Sequence, residues 1–306
     1  MLKRFFAAIA IYFTILPGSV AFGPRTISQS RVSNLPNYQT ACLTRTSHCK
    51  IYEPLNMAAT GKSESDSEGI KISVDLPYAV GWVALIFFAA FVAPGTAMGS
   101  SDSQMLDTLI NDPLNGGDVN RLWFVIWNYF TIVPATLASL MLPNVKKDQW
   151  LPAGPFAIAS AFIGYFGLGP YFALRNSTNV SSDNKNGKEF GFITTKVLDN
   201  RLLGALLTFL ALEIPFTTGL VSALQSDAAS VLSGFAEILT TSRFVSVATV
   251  DLTIMIFLSS ILIYEDLIAR NGGVEKPSDK ALAALTLVAP GIGAALYLAL
   301  RPSKVE

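Results

Sequence analysis

Cysteine and histidine are nearly absent from this sequence, and charge is scarce. The 306 residues include two cysteines and one histidine, and charged residues make up 14%, against about 25% in ordinary soluble domains. Basic and acidic residues number 22 each, so no excess of positive charge favours nucleic acid. Both cysteines and the histidine lie within the first 50 residues. Removal of that segment would leave no thiolate, imidazole base or His/Cys metal ligand, so we assign no catalytic residue and no metal site.

The first 60 residues have the pattern of a targeting sequence. Two basic residues precede an apolar stretch from Phe5 to Leu16, and the small-x-small rule places signal cleavage between Ala21 and Phe22. Residues 22–60 are rich in Ser, Thr and Asn, carry scattered Arg and contain a single acid, Glu53. We therefore predict a signal peptide over residues 1–21 and a transit peptide over residues 22–60.

The cleavage junction carries a resemblance to a known class of presequence. Ser19-Val20-Ala21-Phe22-Gly23-Pro24 resembles the bipartite presequence of algae with complex plastids, in which an aromatic residue opens the transit peptide. The resemblance implies delivery to a plastid membrane, either the thylakoid or the inner envelope. The alternative is a plain secretory signal followed by a luminal segment. The sequons at Asn176 and Asn179 would then be open to glycosylation.

Beyond an acidic, disordered tether at residues 61–75, the chain consists largely of apolar stretches. Six of them approach the roughly 20 residues that a helix needs to cross a bilayer. They run from Tyr78 to Ala97, Leu122 to Leu142, Ala153 to Leu174, Leu202 to Leu224, Phe244 to Tyr264 and Ala281 to Leu300. Pro94-Gly95 truncates the first, which leaves five spans as the alternative. The predicted fold is an all-α integral membrane bundle of six, or five, transmembrane helices over residues 76–306.

Two of these stretches end in similar sequences. Gly169–Arg175 (GPYFALR) closes the third stretch and Ala295–Arg301 (ALYLALR) closes the sixth, at an offset of 126 residues (301 minus 175). The same offset carries residues 122–142 onto residues 248–268. With three spans in each half, the halves would be oppositely oriented, as in the inverted repeats of many transporters. The alternative is that an apolar turn, an interfacial Tyr and a snorkelling Arg simply make a good helix exit.

Three polar side chains fall inside the predicted spans: Glu213, Asp251 and Asn128. A carboxylate in hydrocarbon costs roughly 2.5–3.5 kcal/mol unless it is protonated, paired or facing water. Pro215 cannot donate to the carbonyl of Ala211, which leaves an acceptor free near the Glu213 carboxyl. These residues are therefore candidates either for proton or ion coupling or for hydrogen bonds that hold helices together. By contrast, we expect Tyr264-Glu265-Asp266 and Arg270 to form a solvated cluster at a helix exit.

About the last sixty residues carry a second resemblance, with the exit at Gly169–Arg175 as a further match. Val250–Ile254, Ile263–Asp266 and Arg270, followed by a last span ending in Leu300-Arg301-Pro302, resemble an uncharacterised family of plastid and cyanobacterial multi-span proteins. That resemblance implies a membrane fold and names no activity. Val250-Asp251-Leu252 before a terminal apolar helix is also similar to the plastid neoxanthin-synthase-like membrane family, which would imply a xanthophyll substrate.

Three hypotheses for function follow. The first is a non-catalytic scaffold, assembly or pigment-site protein whose partners are membrane lipids, pigment or subunits of a photosynthetic complex. The second is a proton- or cation-coupled transporter with Glu213 at its site and Asp251 or Asn128 along the path. The third is a membrane enzyme acting on a xanthophyll or lipid, with Glu213 or Asp251 as acid or base. We expect no cofactor, although a bound pigment or lipid is compatible with the first hypothesis.

Overall fold

The computed structural model describes residues 74–96, 99–113, 115–145, 151–175 and 191–303. All of these residues belong to one compact unit that begins at Lys71. They form ten α-helices, and Thr96 and Ser242 make an isolated β-bridge. The predicted all-α class is thus confirmed for the described part of the chain. The targeting segment, the junction between Ala21 and Phe22 and nearly all of the tether lie outside the described residues.

The ten α-helices are numbered here in chain order. In chain order they are α1 (Leu76–Phe87, continued by a π-helical turn at Phe88–Val92), α2 (Ser100–Asn111), α3 (Arg121–Met141, continued by a 3-10 turn at Leu142–Asn144), α4 (Ala153–Ile163), α5 (Tyr165–Leu174), α6 (Arg201–Thr217), α7 (Leu220–Thr241), α8 (Arg243–Arg270), α9 (Pro277–Leu285) and α10 (Ile292–Leu300). The side chains of Asn120 and Ser242 accept hydrogen bonds from the first turns of α3 and α8, which fixes where these two long helices begin.

Length and composition single out α3 and α8 as candidate membrane spans. Among the described residues, Arg121–Asn144 and Arg243–Arg270 are long and apolar enough to cross a bilayer. The pair α6 and α7 would make a third candidate if counted as one span bent by 50°. The apolar helices Leu76–Val92 and Ala153–Ile163 are shorter. The structure therefore supports two or three spans by this criterion, and the predicted bundle of six is not confirmed.

The predicted span from Ala153 to Leu174 is a helical hairpin instead of one straight helix. Gly164 has φ 59° and ψ −137°, a conformation that glycine alone adopts readily, and it separates α4 from α5. The rings of Phe156 and Tyr171 lie 5.9 Å apart, whereas 15 residues of straight helix would separate them by about 22 Å. The chain therefore turns back at Gly164.

The predicted span from Ala281 to Leu300 also fails to cross as a single helix. Helices α9 and α10 have nine residues each, or about 14 Å. Asn271 just after α8 bonds to Asp279 in α9, and at the far end of the segment the carbonyl of Pro302 accepts from Arg270 at 2.8 Å. The segment thus begins and finishes beside the same end of α8.

The long helices α3 and α8 run side by side in the same direction. Near their starts, Trp123 packs edge-on against Phe244 at 5.8 Å between ring centroids. Near their ends, Asn144 donates to the Asp266 carboxylate at 2.7 Å. Around this pair the packing recurs: α1 contacts α5 as α6 contacts α10, α4 contacts α3 as α9 contacts α8, and α5 contacts α8 as α10 contacts α3.

The two similar exits lie at one end of the bundle. Arg175 after α5 pairs with Glu265, and Arg301 after α10 pairs with the adjacent Asp266. An inverted repeat would place these arginines at opposite ends of the helices. The predicted inverted repeat is therefore not confirmed, because both arginines pair with consecutive acids at the same end of α8.

Candidate functional site

The most polar part of the described bundle is a cluster at the C-terminal end of α8, which we call the ionic clasp. It is built on Asp266, whose side chain is fully buried. Arg301 donates to both carboxylate oxygens of Asp266, at 2.8 and 2.5 Å. Arg270, Tyr297 and Asn144 add further donors at 2.9, 2.6 and 2.7 Å. A buried charge is tolerated only when it is paired and hydrogen-bonded in this way. The cluster around Asp266 and Arg270, predicted to be solvated, is instead a buried network of ion pairs.

The clasp extends to the start of α6. Asp199 accepts hydrogen bonds from Arg270 and, at 2.8 Å, from Arg301. Arg201 donates through Nε to the carbonyl of Arg301 at 2.7 Å. Burial alone would lower the pKa of Arg301, but hydrogen bonding and attraction to the Asp266 carboxylate outweigh burial and raise it. Arg301 therefore stays charged and joins α6, α8 and α10.

A second part of the clasp lies one residue earlier on α8. Glu265 receives a bidentate pair from Arg175, with distances of 2.6 and 2.9 Å. The Arg175 guanidinium also lies 4.4 Å from the ring centroid of Phe172 and 5.2 Å from that of Tyr78. Burial opposes the charge of Arg175, yet the neighbouring Glu265 carboxylate raises its pKa above the usual value. Consecutive acids on α8 thus hold the ends of both hairpins.

Asp251, predicted as a coupling or helix-binding residue, lies at the tip of the first hairpin. Its carboxyl accepts from the backbone N–H of Tyr165 at 2.8 Å and also from that of Phe166, at the start of α5. A methyl group on Gly164 would lie 1.6 Å from Asp251 Oδ2, so the backbone approaches the carboxyl as closely as glycine allows. Asp251 caps α5 from the neighbouring helix and satisfies N–H groups that the break exposes.

The other two predicted residues make different contacts. Asn128 donates to the carbonyl of Phe124 at 2.8 Å, four residues earlier in its own helix. Glu213 is half-buried on α6. The Ala211 carbonyl that Pro215 was expected to leave free is taken by the Tyr129 hydroxyl at 3.1 Å. The structure therefore uses that acceptor to join α6 to α3, away from Glu213.

A cavity of about 590 Å³ lies beside Asp251, between α3, α4 and α8. Its walls are mainly aromatic and aliphatic, and Thr131, Arg243 and Asp251 are the polar residues among them. The apolar lining consists of Ala89, Trp127, Phe130, Ala161, Phe162, Ile163, Phe166, Phe244, Val247 and Ala248. Glu213 does not line this cavity, so the carboxyls predicted to act together are not brought to one site.

The sequence signals for the clasp were present but incomplete. The similar exit sequences that end in Arg175 and Arg301 indicated that these two arginines occupy equivalent positions. Glu265 and Asp266 were recognised as an acidic pair at another helix exit. Nothing in the local pattern indicated that both arginines return to that pair, because this depends on the hairpins reversing. Helix α2 was also missed, since its polar sequence, Ser100–Asn111, lacks a long apolar face.

Among the described residues, no group of three or more His, Cys, Asp or Glu side chains is arranged to hold a metal ion. No protein-family model, curated protein or solved structure matches the chain.

Proposed function

We propose that this chain is a non-catalytic multi-pass membrane protein of an algal plastid, serving as a scaffold, assembly or pigment-site protein. The observation that carries the proposal is that two of the three polar side chains predicted inside the spans, Asp251 and Asn128, are hydrogen-bonded to the chain itself. Asp251 caps α5, and Asn128 donates a hydrogen bond within α3. The Ala211 carbonyl accepts a hydrogen bond from the Tyr129 hydroxyl. Groups engaged in this way stabilise one arrangement of helices, which suits a protein that presents a fixed surface.

Membrane insertion of the whole bundle is supported by its exterior. Large apolar side chains are exposed on several helices, including Phe91 at 76%, Phe162 at 83% and Leu202 at 75%. A water-soluble protein rarely leaves so many in contact with solvent. On this proposal α1, α3, α6 and α8 cross the bilayer, whereas the hairpins α4–α5 and α9–α10 enter and leave on one side. The two halves are then similarly oriented, and their axis of repetition lies along the membrane normal.

The proposed plastid localisation rests on the predicted presequence. A fluorescent protein fused behind residues 1–60 should be imported into the plastid of a diatom or similar alga, and Phe22→Ala should divert it to the compartment outside the plastid stroma. Secretion of the unaltered fusion would contradict the address while leaving the membrane fold unaffected.

Complementation tests the scaffold role. A strain that lacks this protein should fail to assemble the membrane complex that the protein supports. Expression of the full chain should restore that complex, as measured by native gel electrophoresis. Glu213→Gln should restore it equally, because on this proposal Glu213 has no coupling function. Loss of assembly with Glu213→Gln, at normal protein level, would count against the scaffold.

A second candidate, a proton- or cation-coupled transporter, is favoured by one observation. Asp251 lies at a helix break beside a cavity, as do the ion-binding groups of many transporters. Proteoliposomes holding the full chain would then show pH-driven solute flux that Asp251→Asn abolishes, with Glu213→Gln as the comparison. Equal flux in protein-free vesicles would remove this candidate. The enzyme hypothesis stays a prediction, tested by xanthophyll analysis of the deletion strain.

A further inference from the structure

We propose that the cavity beside Arg243 binds an anionic amphiphile, with the acidic headgroup on the Arg243 guanidinium and one hydrocarbon chain inside the cavity. This inference goes beyond the proposed function and holds equally for a scaffold or a transporter. The ligand class covers a free fatty acid and an anionic glycerolipid, which share a negative headgroup on a flexible apolar chain.

The shape and lining of the cavity fit a hydrocarbon chain. Its volume of about 590 Å³ falls within the roughly 300–1,000 Å³ typical of small-molecule sites. Aromatic side chains from α3 and α8, such as Trp127 and Phe244, form one side, and Phe162 at the hairpin tip forms another. Phe162 is 83% exposed, so the cavity lies next to the surface that would face lipid. An acyl chain could pass from the bilayer into it without crossing water.

Arg243 supplies the charge. It is the first residue of α8, and its Nε is buried without a hydrogen-bond partner among the described residues. Arg243 is half-buried and has no carboxylate partner among the described residues, whereas Arg175 and Arg301 at the clasp each have one. Leaving a buried guanidinium donor unpaired is costly, whereas a carboxylate or phosphate would satisfy it with a charge-assisted bond.

Position along α8 sets the orientation of the ligand. The helix has 28 residues, or about 42 Å, which exceeds the roughly 30 Å of hydrocarbon, so Arg243 at its start lies near a membrane boundary. Asp251 follows eight residues later, about 12 Å deeper, and its carboxyl is occupied by the backbone of α5. A negative headgroup is therefore attracted to Arg243 and disfavoured at the Asp251 end, which directs the chain inward.

The first test uses the unaltered, delipidated full chain in a neutral detergent, with ligand adducts measured by native mass spectrometry. Oleic acid and oleyl alcohol share a chain and differ in headgroup charge, as do phosphatidylglycerol and phosphatidylcholine in their net charge. We expect each anionic ligand to bind about tenfold more tightly than its partner of zero net charge, the effect of one charge-assisted contact. Binding of oleic acid alone identifies a free fatty acid as the source, and binding of phosphatidylglycerol alone identifies a membrane lipid. Equal binding within both pairs would overturn the proposal, and this comparison needs no variant.

Variants then locate the site. Arg243→Gln should reduce binding of the anionic ligands about tenfold and leave binding of the ligands of zero net charge unchanged. Val247→Trp, which fills the cavity, should abolish binding of all four. The matched control is Arg121→Gln: Arg121 is the first residue of α3 as Arg243 is of α8, but it bonds to the carbonyls of Asn115 and Gly117 and does not line the cavity. Anionic preference that survives Arg243→Gln, or falls equally with Arg121→Gln, would overturn the assignment.

Discussion

Asp266 shows how one side chain can hold several helices in place. Its two oxygens receive donors from Arg301, Arg270, Tyr297 and Asn144, which come from four different points along the chain. Because the carboxylate is fully buried, every donor that is removed leaves charge that water cannot reach. Removing one partner of the clasp should therefore lower the free energy of unfolding, and single substitutions measure that loss.

Arg301→Gln should lower the free energy of unfolding by about 3 kcal/mol, since removing one partner of a buried pair costs about 3–5 kcal/mol and Arg270 still pairs with Asp266. Unfolding of the full chain by titration with a denaturing detergent measures the difference. The control is Lys280→Gln, which breaks the exposed pair with Glu275 and should change stability by no more than about 0.5 kcal/mol. Equal effects of the two substitutions would mean that the clasp is not buried as described.

Gly164→Ala should be more damaging than alanine at another left-handed glycine. At Gly164 the new methyl group would meet the Asp251 carboxyl, whereas Gly272, with φ 68°, has no atom within 4 Å of that position. We expect losses of about 1–2 kcal/mol for Gly272→Ala from backbone strain alone, and of about 2–5 kcal/mol for Gly164→Ala. The double variant Gly164→Ala, Asp251→Ala should lose less than the sum of its single variants, because the clash is then absent. Strict additivity would contradict the close approach.

At the scale of helices, hairpins replace two predicted spans. Apolar length alone made residues 153–174 and 281–300 look like crossings, because a pair of short apolar helices has the same composition as one long helix. The breaks occur at Gly164 and Gly291, both with positive φ. Glycine marks positions where reversal is permitted, but the reversal itself depends on partners distant in sequence: Asp251 caps one tip, and the ring of Tyr129 lies 3.7 Å from a methyl group placed on Gly291.

The elements that the sequence did predict are those whose signal is local. Helices α3 and α8 were expected from residues 122–142 and 244–264 and occur at Arg121–Met141 and Arg243–Arg270. The truncation of the first stretch at Pro94-Gly95 is confirmed, since the π-helical turn ends at Val92. At the site, the sequence correctly singled out Asp251 as a residue with a specific structural role. The burial of Asp266 was not predictable from a helix exit rich in charge.

Cysteine labelling tests the hairpin topology. After replacement of Cys42 and Cys49 by serine, single cysteines at Val274, Ser303 and Asp118, all exposed positions, are treated with a membrane-impermeant maleimide in sealed vesicles. Val274→Cys and Ser303→Cys should be labelled from the same side, because α9–α10 returns to the end from which it starts, and Asp118→Cys from the other side. Labelling of Val274→Cys and Ser303→Cys from opposite sides would restore the six-crossing arrangement.

At the scale of the whole molecule, the contacts between α3 and α8 and between Arg175 and Glu265 join the N-terminal and C-terminal halves. When the purified full chain is cut at a protease site introduced between Arg175 and Arg201, the two halves should therefore stay together during size-exclusion chromatography. Adding Glu265→Gln should promote separation, since Arg175 then loses its carboxylate, whereas Lys280→Gln should not. Dissociation of the cleaved but otherwise unaltered chain would show that these contacts do not hold the halves together.

The parallel course of α3 and α8 has a further consequence. Each half offers its long helix to the other with the same polarity, as identical subunits do across a two-fold axis. A polypeptide carrying only one half would leave that face of its long helix uncovered. Because both halves belong to one polypeptide, their association is intramolecular and does not depend on protein concentration.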